Sequence, residues 1–182
     1  MSWIEEVRGK YKRKNQILFS KDNPMIMDLD MLLREQNRKT IILWAFDLAE
    51  ESIRLLSERY PGEERPLAAL QVSRDWAYGK VKMSEARKAI LSCHSMAKEL
   101  VSEEDKALCH AVGQACSCVH TVKHALGYPI YELTALVRRY GIEDCVTPVE
   151  TRKQEYVEKI LYWNRRCQED VREWAKFITD GK

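Results

Sequence analysis

Residues 102–127 read SEEDKALCHAVGQACSCVHTVKHALG, and this stretch decides the fold. Ser102 is a capping hydroxyl, and Glu103, Glu104 and Asp105 follow where the positive end of a helix dipole favours acids. From Ala107 to Val122 no residue is charged, counting histidine as neutral. At 100° per residue, Leu108, Ala111, Ala115, Val119, Val122 and Leu126 form one face. Cys109, Gly113, Cys116, His120, His124 and Gly127 form nearly the opposite one. A helix that is apolar or small on both sides is buried on both sides. The expectation is an all-α, single-domain, multi-helix bundle built around this segment as a buried central helix.

Working outward, helical spacing continues on both sides. Ile41, Ala45, Leu48, Ser52 and Leu55 fall at three- and four-residue steps until Pro61-Gly62. Pro66 suits a first helical turn, Leu67, Leu70, Ser73 and Trp76 follow on one face, and Gly79 suits a left-handed stop. Ala86, Ile90, Cys93, Ala97 and Leu100 make the next stripe. Pro129 opens a helix that Gly141 ends. Thr147 to Glu150 reads as a capping box, with proline at the first position. Behind it, Val157, Ile160, Asn164, Cys167, Val171, Trp174 and Ile178 form a seam that closes the core or pairs with a second copy. No β-strand run, fixed repeat or low-complexity stretch is present.

Toward the N-terminus, residues 2–14 suit a short amphipathic helix with Trp3, Ile4 and Val7 on one side and basic residues from Arg8 to Lys14. Asp22-Asn23-Pro24 is a turn signal. Residues 1–27 are therefore read as an N-terminal arm and 28–182 as the bundle domain.

Composition limits what the chain does. Lys plus Arg is 30 against 28 for Asp plus Glu among 182 residues, a net charge of +2. That balance speaks against a nucleic-acid-coating protein, which needs a basic excess. The longest strictly apolar run is Ile41 to Phe46, far short of the roughly 20 residues a membrane span requires. The N-terminal acids do not suit a signal peptide. Six cysteines in a chain of this length read as free thiols in a reduced, cytoplasmic setting.

The four histidines lie between residues 94 and 124. On a continuous helix Cys116, His120 and His124 form an i, i+4, i+8 ladder of zinc-type ligands, to which His94 could add a fourth. Buried histidines bonded across helices explain the same residues. Cys116 with His120 could form a nucleophile pair, but no orienting acid or glycine-rich oxyanion loop accompanies them. No phosphate-binding loop, nucleophile elbow or His-Glu-x-x-His motif occurs. No cofactor is expected. Between Asp47 and Glu64 six acids face two bases, and Glu50, Glu51 and Glu58 are expected on an exposed face able to steer a basic partner.

Several blocks carry a family resemblance. Leu43-Trp44-Ala45, Asp47, Ala49-Glu50, Arg65-Pro66, Ala69-Leu70, Asp75-Trp76-Ala77, Gly79, Glu85-Ala86-Arg87, Gly113-Gln114-Ala115, His120 and His124-Ala125-Leu126-Gly127 resemble successive motifs of a bacterial helical family of immunity proteins, the immunity-five-like domain. The resemblance covers about residues 30–140. Gln114 departs from it where a histidine is expected, and Cys93, Cys116 and Cys118 stand where small residues are usual. It implies a cytoplasmic protein that binds a cognate toxin of a polymorphic toxin system without catalysis. Trp44, Arg65, Trp76, Arg87, His120 and His124 are the family-matching positions. The alternative expectation is a small helical metalloprotein or enzyme with a site around His94, His120 and His124.

Overall fold

A computed structural model of the chain describes residues 2–180. It contains α1 (Trp3–Lys12), α2 (Pro24–Arg34), α3 (Arg38–Arg59), α4 (Arg65–Ala77), α5 (Met83–Met96), α6 (Glu103–Ser117), α7 (Gly127–Tyr140), α8 (Val146–Arg166) and α9 (Lys176–Thr179), with a 3-10 turn at Val122–Leu126 and no strand among the described residues. The chain is an all-α bundle.

α6 is its hub. It packs against α3, α4, α5 and α7, while α8 covers α3 and α7 from the far side. Leu108, Ala111 and Ala115 on one face are buried, and so are Cys109, Gly113 and Cys116 on the other. Small side chains on both faces let four neighbours approach one axis closely. Ser102 caps the helix by accepting from the Asp105 amide at 3.2 Å. Asp105 itself is buried, and accepts from Arg59 and, at 2.6 Å, from the Tyr60 hydroxyl. That hydrogen bond, with burial behind it, pushes the Tyr60 phenol up to about 12.

The central helix is shorter than its pattern. It ends at Ser117, residues 118–120 turn, and Thr121 is extended at φ −140°. The cause lies far away in sequence. Arg38, in the first turn of α3, donates from Nη2 to the carbonyls of Val119 at 2.7 Å and His120 at 3.1 Å. A continued helix would give those carbonyls to amides four residues on. Gly127 therefore does not share a face with Cys116. It opens α7, and the Gln114 side chain occupies the place of its missing Cβ.

Other ends follow local rules. Gly79 and Gly141 close α4 and α7 at φ +74° and +79°, a region L side chains resist. α2 begins at Pro24, ahead of the expected Asp28. Asn23 caps it by accepting from the Met25 amide at 3.0 Å. The same buried side chain donates to Glu6 Oε2 at 2.8 Å and to the Trp3 carbonyl at 3.2 Å, which ties α1 to the bundle. Val7, Leu18 and Phe19 join the common core.

Two C-terminal expectations need correction. Thr147 is no cap: α8 starts one residue earlier, at Val146, and Pro148 is tolerated because first-turn amides have no helical partner. The 157–178 seam is not one helix face. α8 stops at Arg166, Val171 is almost fully exposed, and Trp174 and Ile178 fold back into the core of the same chain. The Ala175 amide, bonded to the Ala77 carbonyl at 2.8 Å, holds that return. A coiled-coil partner face along this seam does not exist.

Candidate functional site

A cleft of about 370 Å³ opens between the end of α4, the outer face of α5 and the broken end of α6. Trp76, Ile90 and Leu91 contribute apolar lining. Met83 and Arg87 are exposed residues of α5 that also line it, and His94, Gln114, Ser117, His120 and His124 supply the polar lining. The break in α6 creates this recess, because a continuous helix would carry His120 and His124 along its own axis.

The histidines are individually fixed. His94 Nδ1 lies 2.9 Å from His110 Nδ1, so one nitrogen donates and the other accepts. His110 packs on Tyr131 with ring centroids 5.2 Å apart. The His94 ring lies across Gly113, where a Cβ would come within 2.3 Å of it. Only glycine leaves this space. His120 stacks on Trp76 at 6.2 Å and 18°. His124 Nδ1 meets Gln114 Oε1 at 3.1 Å, which makes that nitrogen the donor.

The sequence ladder is not assembled. Cys116 is fully buried within α6, whereas His120 and His124 are exposed beyond the break. No three metal-ligating side chains converge among the described residues. His94, His120 and His124 line the cleft, and Cys116 does not. Burial pushes the Cys116 thiol up to about 12, so it is not the thiolate that a Cys–His nucleophile requires. All six cysteines are free and buried.

Burial, aided by the nearby His110 and His124 charges, holds His94 down to about 4. His110 and His124 are also lowered, burial being the first cause in each. A histidine whose folded pKa lies below its unfolded value of about 6.5 stabilises the fold fully above that value. The contribution is lost as pH falls from about 6.5 toward 4, because the unfolded chain takes up the proton first. The melting temperature is expected to drop over this window, and His94→Gln to shrink the drop. An equal drop in wild type and variant would show that His94 is not a source of it.

Of the expected acidic face, Glu50 and Glu58 are exposed, but Glu51 is not. Glu51 is half-buried between Arg152 at 2.8 Å and Lys159 at 3.0 Å. Asp47 also pairs with Lys159, at 2.9 Å, and Glu50 pairs with Arg74. The cations come from α8 and α4, so the apparent local excess of acid is largely matched across helices.

Sequence reasoning missed the ionic cluster beneath that face. Arg152 donates to both oxygens of Glu132 at 2.9 Å, pairs with Glu155 at 2.6 Å, and lies over the Tyr156 ring. Tyr156 donates to Glu132 in turn, and Tyr128 donates to the Leu48 carbonyl at 2.7 Å. The only hint in the sequence is an acid, Glu132, set among the apolar residues of α7.

Comparison with known proteins now bears on these residues. A family model described as "Imm-5 like putative immunity protein" matches residues 31–166. The chain belongs to this family. The match takes in α8, which the sequence resemblance left outside. No curated protein and no solved structure matches the chain. No helix among the described residues is long and apolar enough to cross a membrane. The family-matching positions divide by structural role. Trp44 is fully buried and donates from Nε1 to the Tyr156 carbonyl at 3.1 Å, and Arg65, the first residue of α4, clamps Glu63 just before that helix and Glu99 just after α5. Trp76, Arg87, His120 and His124 instead line the cleft.

Proposed function

We propose that the chain is an immunity protein that neutralises a cognate bacterial toxin by binding it, without catalysis, in the cytoplasm of its producer. The observation that carries this reading is the family match over residues 31–166. Inhibition comes from covering the toxin's working surface. Of the exposed acids, Glu50 is shared with Arg74 while Glu58 pairs with no described cation, and this remaining acidity can steer a basic toxin toward the outer side of α3, an effect on association rate more than on final affinity.

Co-expression tests this. Where a toxin domain is encoded beside this chain's gene, a cell producing that domain is expected to survive when the chain is present. The double reversal Glu50→Lys and Glu58→Lys should slow complex formation and flatten its salt dependence. Its fold should persist, since exposed charges contribute little to stability. Cell death unrelieved by the chain would overturn the immunity reading. An unchanged association rate in the double variant would remove only the steering face.

A further inference from the structure

We propose that the Trp76–Arg87–His120–His124 cleft is a binding site for a small organic anion, with its apolar body on Met83, Ile90 and Leu91 and its carboxylate or phosphate head against Arg87, His120 and His124. This goes beyond the immunity reading and does not depend on it.

Shape is the first argument. The cleft's volume, about 370 Å³, falls in the range of small-molecule sites, roughly 300–1,000 Å³. Its composition also suits such a site: apolar and aromatic walls with a few placed polar groups. The walls are pre-formed. His94 fills the space that Gly113 leaves, Gln114 fills that of Gly127, and His94 and His124 are each held through Nδ1. Rigid walls lower the ordering cost of binding.

Charge selects the ligand. Every ionisable group in the lining is basic: Arg87, His94, His120 and His124. Arg87 is exposed, lines the cleft, and forms no ion pair with any described residue, so its guanidinium is free for a ligand. With Nδ1 committed to Gln114, His124 keeps Nε2 for a ligand oxygen, as donor when the ring is protonated. The Arg87 guanidinium, with imidazoles that donate to an anion once protonated, accepts a carboxylate or phosphate whose body lies on the neighbouring apolar residues, and repels a cation.

The test uses 8-anilinonaphthalene-1-sulfonate on the full chain, with uncharged N-phenyl-1-naphthylamine as its control. Saturable one-to-one binding is expected, with quenching of tryptophan emission. Arg87→Gln should weaken it about tenfold, the size of one lost charge-assisted contact, while the melting temperature holds. The uncharged probe should bind at least about tenfold more weakly than the sulfonate. Met31→Gln, at an exposed apolar residue on α2, should change nothing. Displacement by benzoate or by phenyl phosphate supports the site, and the stronger of the two assigns the head group. Absence of saturable binding, equal affinity for the uncharged probe, an unaffected Arg87→Gln variant, or displacement by neither anion would overturn the proposal.

Discussion

Ala115→Asp is expected to unfold the protein. Ala115 is fully buried in α6, the helix that touches α3, α4, α5 and α7. A carboxylate there meets neither water nor a cation, and an unpaired buried charge costs several kcal/mol. A domain of this size holds roughly 5–15 kcal/mol in total. The cooperative thermal transition should therefore disappear, or fall by about 10 °C or more. Gln71→Asp, on the exposed side of α4, is the control and should change stability by less than about 0.5 kcal/mol. If Ala115→Asp melts like wild type, α6 is not the buried hub.

The second large effect lies at Arg152. Its guanidinium is held by Glu132, Glu51 and Glu155, with only 11% of the side chain exposed. Arg152→Ala leaves Glu132 buried without its counter-charge, an imbalance that costs about 3–5 kcal/mol. For a chain of this length the melting temperature falls by roughly 6–20 °C. Replacing both partners is milder than replacing one. Arg152→Met with Glu132→Gln keeps an acceptor for the Tyr156 hydroxyl and removes the stranded charge. This double variant should recover more than half of the loss. A double variant no more stable than Arg152→Ala would mean that the cation matters for packing over the Tyr156 ring and not for pairing.

The helices were legible where their signals are local. Ser102 and its acids mark the start of α6, Gly79 and Gly141 mark two stops, and the two-sided apolar pattern marks burial. The end of α6 was not legible. Nothing between Gln114 and Thr121 breaks a helix, and the agent is Arg38, about eighty residues earlier, competing for the Val119 and His120 carbonyls. A tertiary contact overrode a helical pattern, and the Cys116–His120–His124 ladder fell with it. The same break brings His120 and His124 to Trp76 and Arg87. Clustering of the histidines and the family resemblance each pointed to part of the cleft, but only the fold joins the parts. The Glu132–Arg152 pair was hidden for a related reason. Two oppositely charged residues on different helices announce themselves only when α7 and α8 are known to face each other.

The proposal that this chain works by occupying a toxin, and not by transforming it, is tested most directly by stoichiometry. A fixed amount of a purified cognate toxin domain, identified by the co-expression rescue, is titrated with the full chain, and residual toxin activity is read. Tight binding without turnover predicts a linear fall that breaks at one chain per toxin, with both proteins recovered unmodified in the complex. Loss of toxin activity at a small fraction of one equivalent, or full activity retained in excess chain, would contradict it.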